Sequence, residues 1–216
     1  MDTNQNGKKL IYDILIYTGL FLTVLFVCMQ FQLNPLSEKY AETDSSVFIM
    51  IGRGMTEGKI PYLDFFDHKG PLLYLINFIG YSLFEIKGVW LMELISAFVS
   101  IVFIYKSARL MFDKFPSFIA SVFAIVTMQL AFDYGNYVEE YALPFISIAL
   151  YYFTKYYFGE TKQLKSYEVM ITGMCFGSTL LLRPNMFGLF AGFCLVIFIT
   201  CIKNKEWKPL LRYILF

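Results

Sequence analysis

Apolar residues gather in runs at about 10–33, 71–84, 88–105, 115–132, 141–158, 167–182 and 185–202, and another run opens near Leu210. A helix that crosses a bilayer needs about 20 such residues, with roughly 17 as a lower limit. Most of the runs meet or approach that length, but 71–84 is short. It also carries a polar stripe. Tyr74, Asn77 and Tyr81 recur at helical spacing, while Leu72, Leu75, Ile76, Ile79 and Leu83 take the opposite face. That pattern predicts a helix lying in the membrane interface, not a crossing.

The distribution of Lys and Arg tests this independently, because cytoplasmic segments carry the excess of both. With 71–84 lying flat, the inner segments hold Lys8, Lys9, Lys106, Arg109, Lys114, Lys155, Lys162, Lys165, Lys203, Lys205, Lys208 and Arg212, twelve in all. The outer ones hold Lys39, Arg53, Lys59, Lys69, Lys87 and Arg183, which makes six. If 71–84 crosses, every later loop changes sides and the split becomes four inside to 14 outside. Only the flat arrangement obeys the rule.

The expected fold is therefore an all-α polytopic membrane protein, one membrane domain over residues 1–216. A first crossing at 10–33 leads to an outer loop at 34–87, which carries a short helix at about 45–57 and the interfacial helix at about 70–85. Crossings follow at 88–105, 115–132, 139–158, 167–182 and 185–202, and 209–216 opens a seventh. The chain stops inside an apolar run at "LLRYILF", so it reads as the N-terminal module of something longer. Composition agrees: 57% of residues are hydrophobic, 16% are charged and the mean hydropathy is +0.56, which excludes an ordinary soluble domain. A net charge of +1 gives no ground for nucleic-acid binding. Cys28, Cys175, Cys194 and Cys201 all sit in apolar runs without metal spacing or a disulfide framework. The first apolar run lacks a small-residue cleavage site and reads as a retained helix. Tyr151, Tyr152, Tyr156 and Tyr157 suit an inner aromatic belt.

With sidedness set, the outer face collects polar groups. Glu42 and Asp44 precede the short helix in "YAETDSSVFIMIGRGMTEGKIPY", and Asp64, Asp67, His68 and Lys69 follow. "FDYGNYVEEYALPF" adds Asp133, Glu139 and Glu140, and "LLLRPNMFG" adds Arg183 and Asn185. Charges at membrane depth are costly and tend to mark a pathway or site. Each also fits a plainer role. Asp44 suits an N-cap, Lys69 a snorkelling contact with lipid phosphate, and Glu139 and Glu140 the positive end of a helix dipole. Arg183 suits a helix anchor and His68 a loop hydrogen bond, while Glu93 and Asp13 suit interhelical polar contacts. Taken together, the carboxylates supply a base for a hydroxyl, and Lys69 and Arg183 supply a phosphate clamp. Those are the parts needed to move a sugar from a polyprenyl phosphate to an acceptor.

At these residues the sequence resembles the C-type integral-membrane glycosyltransferases, in particular the bacterial branch related to protein O-mannosyltransferases and the lipid A aminoarabinose transferase. The resemblance is carried by "ETDSSVFIMIGRGMTEGKIPYLDFFDHKGPLLYLIN", "GNYVEEYALPF" and "LLLRPN", from about Glu42 to Asn185. It implies that Asp44 is the catalytic base and that Glu139 or Glu140 is the second acidic position. Lys69 would lie near the carrier-lipid phosphate. Tyr62, Asp67, His68, Arg183 and Asn185 are the further candidates for the substrate site. The implied donor is a polyprenyl-phosphate-linked sugar, the acceptor a glycan, lipid or protein of the cell envelope, and the location the outer face of the bacterial cytoplasmic membrane. Some relatives use a divalent cation, and Mg²⁺ or Mn²⁺ held by Asp44, Glu42 and Glu140 is the corresponding expectation. Members of that family are longer than this chain, which puts activity of this piece alone in question. Two rival readings remain: a transporter or flippase of lipid-linked sugars, and a non-catalytic membrane assembly protein. A transporter should place polar residues or helix breaks at mid-membrane in paired helices. Here most polar groups sit at one surface.

Overall fold

The computed structural model describes residues 3–37, 43–129, 135–159 and 163–215. Among them the chain is all-α, with no strand and only an isolated bridge between Pro61 and Phe65. The helices are α1 (Thr3–Cys28), α2 (Thr43–Thr56), α3 (Pro71–Ala108), α4 (Lys114–Gln129), α5 (Val138–Phe158), α6 (Ser166–Leu182), α7 (Gly188–Lys203) and α8 (Trp207–Leu215), with a 3₁₀ turn at Pro184–Phe187. Three stretches are long and apolar enough to cross a membrane: Lys9–Cys28, Pro71–Ala108 and Pro184–Lys203. Lys114–Met128 and Ser166–Leu182 are apolar but shorter.

The 71–108 stretch is not one straight helix. It is helical on both sides of a break at Phe84 (φ −146°, ψ 33°) and Glu85 (φ 54°, ψ −135°). Glu85 occupies a backbone region that side chains other than glycine enter only at a cost of about 1–3 kcal/mol. The chain turns back there so sharply that Gly80 and Gly88 touch. A Cβ on Gly88 would stand 1.9 Å from the Gly80 carbonyl oxygen, and one on Gly80 would stand 2.9 Å from the Val89 Cα. α3 is thus two arms, 71–83 and 86–108, as the short apolar run predicts. The second arm starts two residues earlier and ends three later than expected. Because the opposing atoms are backbone, Gly88→Ala has no side chain to push aside. It is expected to cost roughly 1–3 kcal/mol as overpacking, read as a lower melting temperature of the detergent-purified protein.

The first arm is inside-out. Its polar stripe faces protein: Tyr74 and Asn77 are fully buried. Its apolar face points away, with Leu75, Ile79 and Leu83 exposed. Polar groups hydrogen-bonded inward and leucines outward suit a lipid surround better than water.

Around α3 the other helices assemble by complementary stripes. α1 buries Ile16, Leu20, Val24 and Cys28 at four-residue spacing against Val89, Trp90, Leu94 and Ile101 of the second arm. The Trp90 indole N–H donates to the Cys28 carbonyl at 2.8 Å, which fixes the end of α1 on α3. A second core joins Phe48 and Ile51 of α2 to Leu73 and Tyr74, to Val138, Tyr141 and Ala142 of α5, and to Leu182 of α6. Ion pairs Asp13–Lys114 and Lys155–Glu168 tie α1 to α4 and α5 to α6. α8 holds to the loop before α6: Arg212 donates to the Leu164 carbonyl at 2.6 Å, and the Leu164 N–H donates to the Tyr213 hydroxyl at 3.0 Å. The segment expected to open a seventh crossing thus begins at Trp207 and is amphipathic, with Lys208 and Arg212 on it.

Candidate functional site

The starts of α2, of the first arm of α3 and of α5 meet the end of α6, and glycine sets the joint. The Gly70 N–H donates to the Leu182 carbonyl at 2.9 Å. A Cβ on Gly70 would lie 1.9 Å from the Leu181 carbonyl oxygen and 2.8 Å from that of Leu182. The Lys-Gly-Pro turn and the "LLLRPN" segment are therefore one contact. Lys69 and Arg183 stand next to the two residues that bond across it. Pro71 occupies the first turn of α3, where a missing N–H costs nothing.

Lys69 is 9% exposed, and its ammonium reaches the Asp44 carboxylate at 3.2 Å. The same nitrogen lies 3.4 Å from the His68 Nε2 and 5.6 Å from the centre of the Phe48 ring. Asp44 lies in the first turn of α2 and is well exposed. Its side chain turns to Lys69 across 25 residues of sequence, which is more than a capping role requires. Asp67 accepts from the Tyr74 hydroxyl at 2.9 Å and sits 3.2 Å from the His68 Nδ1. The Tyr62 hydroxyl donates to the Lys69 carbonyl at 2.6 Å, and its ring meets that of Tyr74 edge-on. Partial burial, and then the nearby Asp67 charge, raise the Tyr62 phenol above its ordinary pKa. Its hydroxyl is thus a hydrogen-bond donor to the Lys69 backbone. It positions the lysine.

The two adjacent glutamates diverge. Glu139 accepts from the Arg183 guanidinium at 2.5 Å, with both side chains about a third exposed. Glu140 turns inward, where one oxygen accepts from the Tyr137 N–H at 3.0 Å and the other has no hydrogen bond. Glu139 lies at the surface against Arg183, and Glu140 is buried. Asn185 is exposed, and its side chain makes no bond among the described residues. Glu42 and Asp133 lie outside the described residues. Among the described residues no three His, Cys, Asp or Glu side chains gather as a metal would need. Of the three residues named for Mg²⁺ or Mn²⁺, Asp44 pairs with Lys69, Glu140 points into the core and Glu42 lies outside the described residues.

Sequence reasoning missed Asn136. It is fully buried, and its amide nitrogen donates to the Asn77 Oδ1 and the Ser45 Oγ, both at 3.1 Å. Its oxygen accepts from the Tyr141 hydroxyl at 2.8 Å. One side chain thus joins α2, α3 and α5 directly beneath Asp44. The residue lies in the quoted "GNYVEEYALPF", but nothing local signals its partners.

A family model described as "Putative competence-induced protein Ccs4 N-terminal domain" matches residues 4–209. No curated protein and no solved structure matches the chain. With nearly its whole length covered, the chain belongs to the Ccs4 N-terminal domain family.

Proposed function

We propose that the chain is the donor-binding part of a membrane glycosyltransferase, which moves a sugar from a polyprenyl phosphate to a cell-envelope acceptor. In this reading six helices cross the membrane, the first arm of α3 lies in the outer leaflet, and the Lys69 end faces outward. The observation that carries it is the buried Lys69 held against an exposed Asp44. A phosphate oxygen accepts the same kind of charge-assisted hydrogen bond from an ammonium as a carboxylate does, and Asp44, 58% exposed, can turn to water when it gives up Lys69. A phosphate arriving at Lys69 therefore competes with Asp44 for the ammonium. Binding then does two things: it neutralises the phosphate and frees a carboxylate beside it.

The reaction follows from that exchange. The acceptor hydroxyl oxygen forms a bond to the anomeric carbon, and the bond between that carbon and the phosphate oxygen breaks. The electron pair leaves with the polyprenyl phosphate. The hydroxyl proton passes to Asp44. Lys69 stabilises the negative charge growing on the departing phosphate, and Arg183, once drawn from Glu139, adds to it. The N-termini of α2, α3 and α5 at this end favour an anion. The exposed leucines of the first arm give the lipid tail a lateral path.

Lys69→Met keeps the apolar stem and removes the charge. It is expected to weaken polyprenyl-phosphate binding by about ten- to a hundredfold, measured by equilibrium binding in detergent micelles or nanodiscs. Unchanged binding would dismiss the clamp. A flippase would show transbilayer movement of the lipid-linked sugar without transfer, and the same membranes can be scored for both.

A further inference from the structure

Beneath the surface site lies a pair of acids that the proposed transfer does not use. Glu93 is 2% exposed in the second arm of α3, and neither of its carboxylate oxygens has a hydrogen-bond partner. Glu140 is 7% exposed at the start of α5, with Oε1 also unpartnered. Both side chains line one cavity of about 20 Å³, roughly the room that one water-sized occupant needs. The rest of the lining is apolar: Val27, Phe31, Ala97, Ile125, Met128 and Leu143. Two glutamates with three unpartnered oxygens thus line a space whose other lining side chains are apolar.

Among the described residues the surroundings offer no counter-charge. The titratable groups facing the pair are Cys28 from α1, and Tyr141 and Glu139 from α5; none of them is cationic. The nearest arginine in the hydrogen-bond network, Arg183, is taken by Glu139. The Asn136 backbone N–H approaches both carboxylates and gives partial relief. Gly135, in a left-handed conformation, brings that loop within contact distance: its Cβ would stand 2.6 Å from the Glu93 Oε1. Two anions in an apolar cavity, each missing hydrogen bonds, is an arrangement that folding does not sustain. One positive charge between them removes the problem.

We infer that Glu93 and Glu140 form a buried site for one monovalent cation, a proton or an alkali-metal ion, held between helices α3 and α5. The inference does not depend on sugar transfer. A proton would neutralise one of the two carboxyl groups. An alkali ion would take the three free oxygens as ligands. Both convert a net charge of two negatives into one and lock the second arm of α3 to α5. Because the next residue after Glu140 donates to Asn136, which holds Ser45, occupancy reaches the surface site through two hydrogen bonds.

The test uses the detergent-purified full chain in two arms. In the first, protein labelled with ¹³C at glutamate carboxyl groups is examined by infrared spectroscopy for the carbonyl band of a protonated carboxyl at neutral pH. A band that shifts with the label, and that is lost in both Glu93→Gln and Glu140→Gln, assigns the proton. In the second, the melting temperature is followed against Na⁺, K⁺ and Li⁺ with choline as the control. A saturable rise in wild type that is absent in Glu93→Gln assigns an alkali ion. Should either variant fail to fold, the labelled band and the ion titration of wild type still decide the matter. The absence of both signals in wild type overturns the site. So does a band or ion response that survives either folded Gln variant.

Discussion

Asp44→Asn is expected to lower sugar transfer by about 10²- to 10⁴-fold, the range a positioned general base contributes. The change keeps the size and hydrogen-bonding shape of the side chain and removes only its capacity to take a proton. Asp44 is exposed and sits in the first turn of a helix whose core contacts come from Phe48 and Ile51. The fold should tolerate the change with a loss of no more than about 1 kcal/mol. Donor binding should hold or tighten, because Lys69 no longer has a carboxylate to leave. Rate and affinity therefore move apart, which a folding defect would not produce. The assay needs membranes from cells carrying the intact gene, with the labelled donor and product resolved by mass spectrometry. Undiminished transfer would remove Asp44 as the base.

Gly70→Ala is expected to have the largest structural effect. The added carbon would meet the Leu181 carbonyl oxygen at 1.9 Å, and both sides of that contact are backbone. Relief requires the Lys-Gly-Pro turn to draw away from α6, which breaks the hydrogen bond from the Gly70 N–H to Leu182. Overpacking costs roughly 1–3 kcal/mol, and an orphaned buried amide adds about 1–3 kcal/mol. The melting temperature should fall, and Lys69 and Arg183 should lose their common joint. Polyprenyl-phosphate binding should therefore weaken even though no charge has been touched. An unchanged melting temperature with unchanged binding would show that the two segments do not depend on each other.

What could be read ahead of the structure differs by the range of the physics involved. The break at Phe84–Glu85 was legible, because a short apolar run followed by Glu85, Lys87 and Gly88 cannot continue as one buried helix. The polar stripe of Tyr74 and Asn77 was legible as a stripe, but its direction was not. Periodicity says which residues share a face and not whether that face meets water or protein. The partners of those two side chains are Asp67 and Asn136, and only the folded chain supplies the second of them. Asn136 shows the limit most plainly. Its bonds reach Ser45 across 91 residues and Asn77 across 59, and no window or motif carries that information. Glu139 and Glu140 were indistinguishable by composition. They point to different places because successive helical residues are about 100° apart, so one meets Arg183 and the other enters the core. Glu93 stood in an apolar run as an expected interhelical contact, and its lack of a partner emerges only when every neighbour is in place.

In the proposed arrangement the end of the bundle holding Lys69 faces outward and receives a lipid phosphate. His68 offers the direct handle, since its side chain is 76% exposed and next to Lys69. A His68→Cys chain with the native cysteines replaced can be treated with a membrane-impermeant thiol reagent in right-side-out vesicles, with and without polyprenyl phosphate. Labelling is expected without permeabilisation, slowed severalfold by the lipid phosphate. Labelling that requires permeabilisation, or that proceeds at the same rate with the lipid present, would rule out this placement.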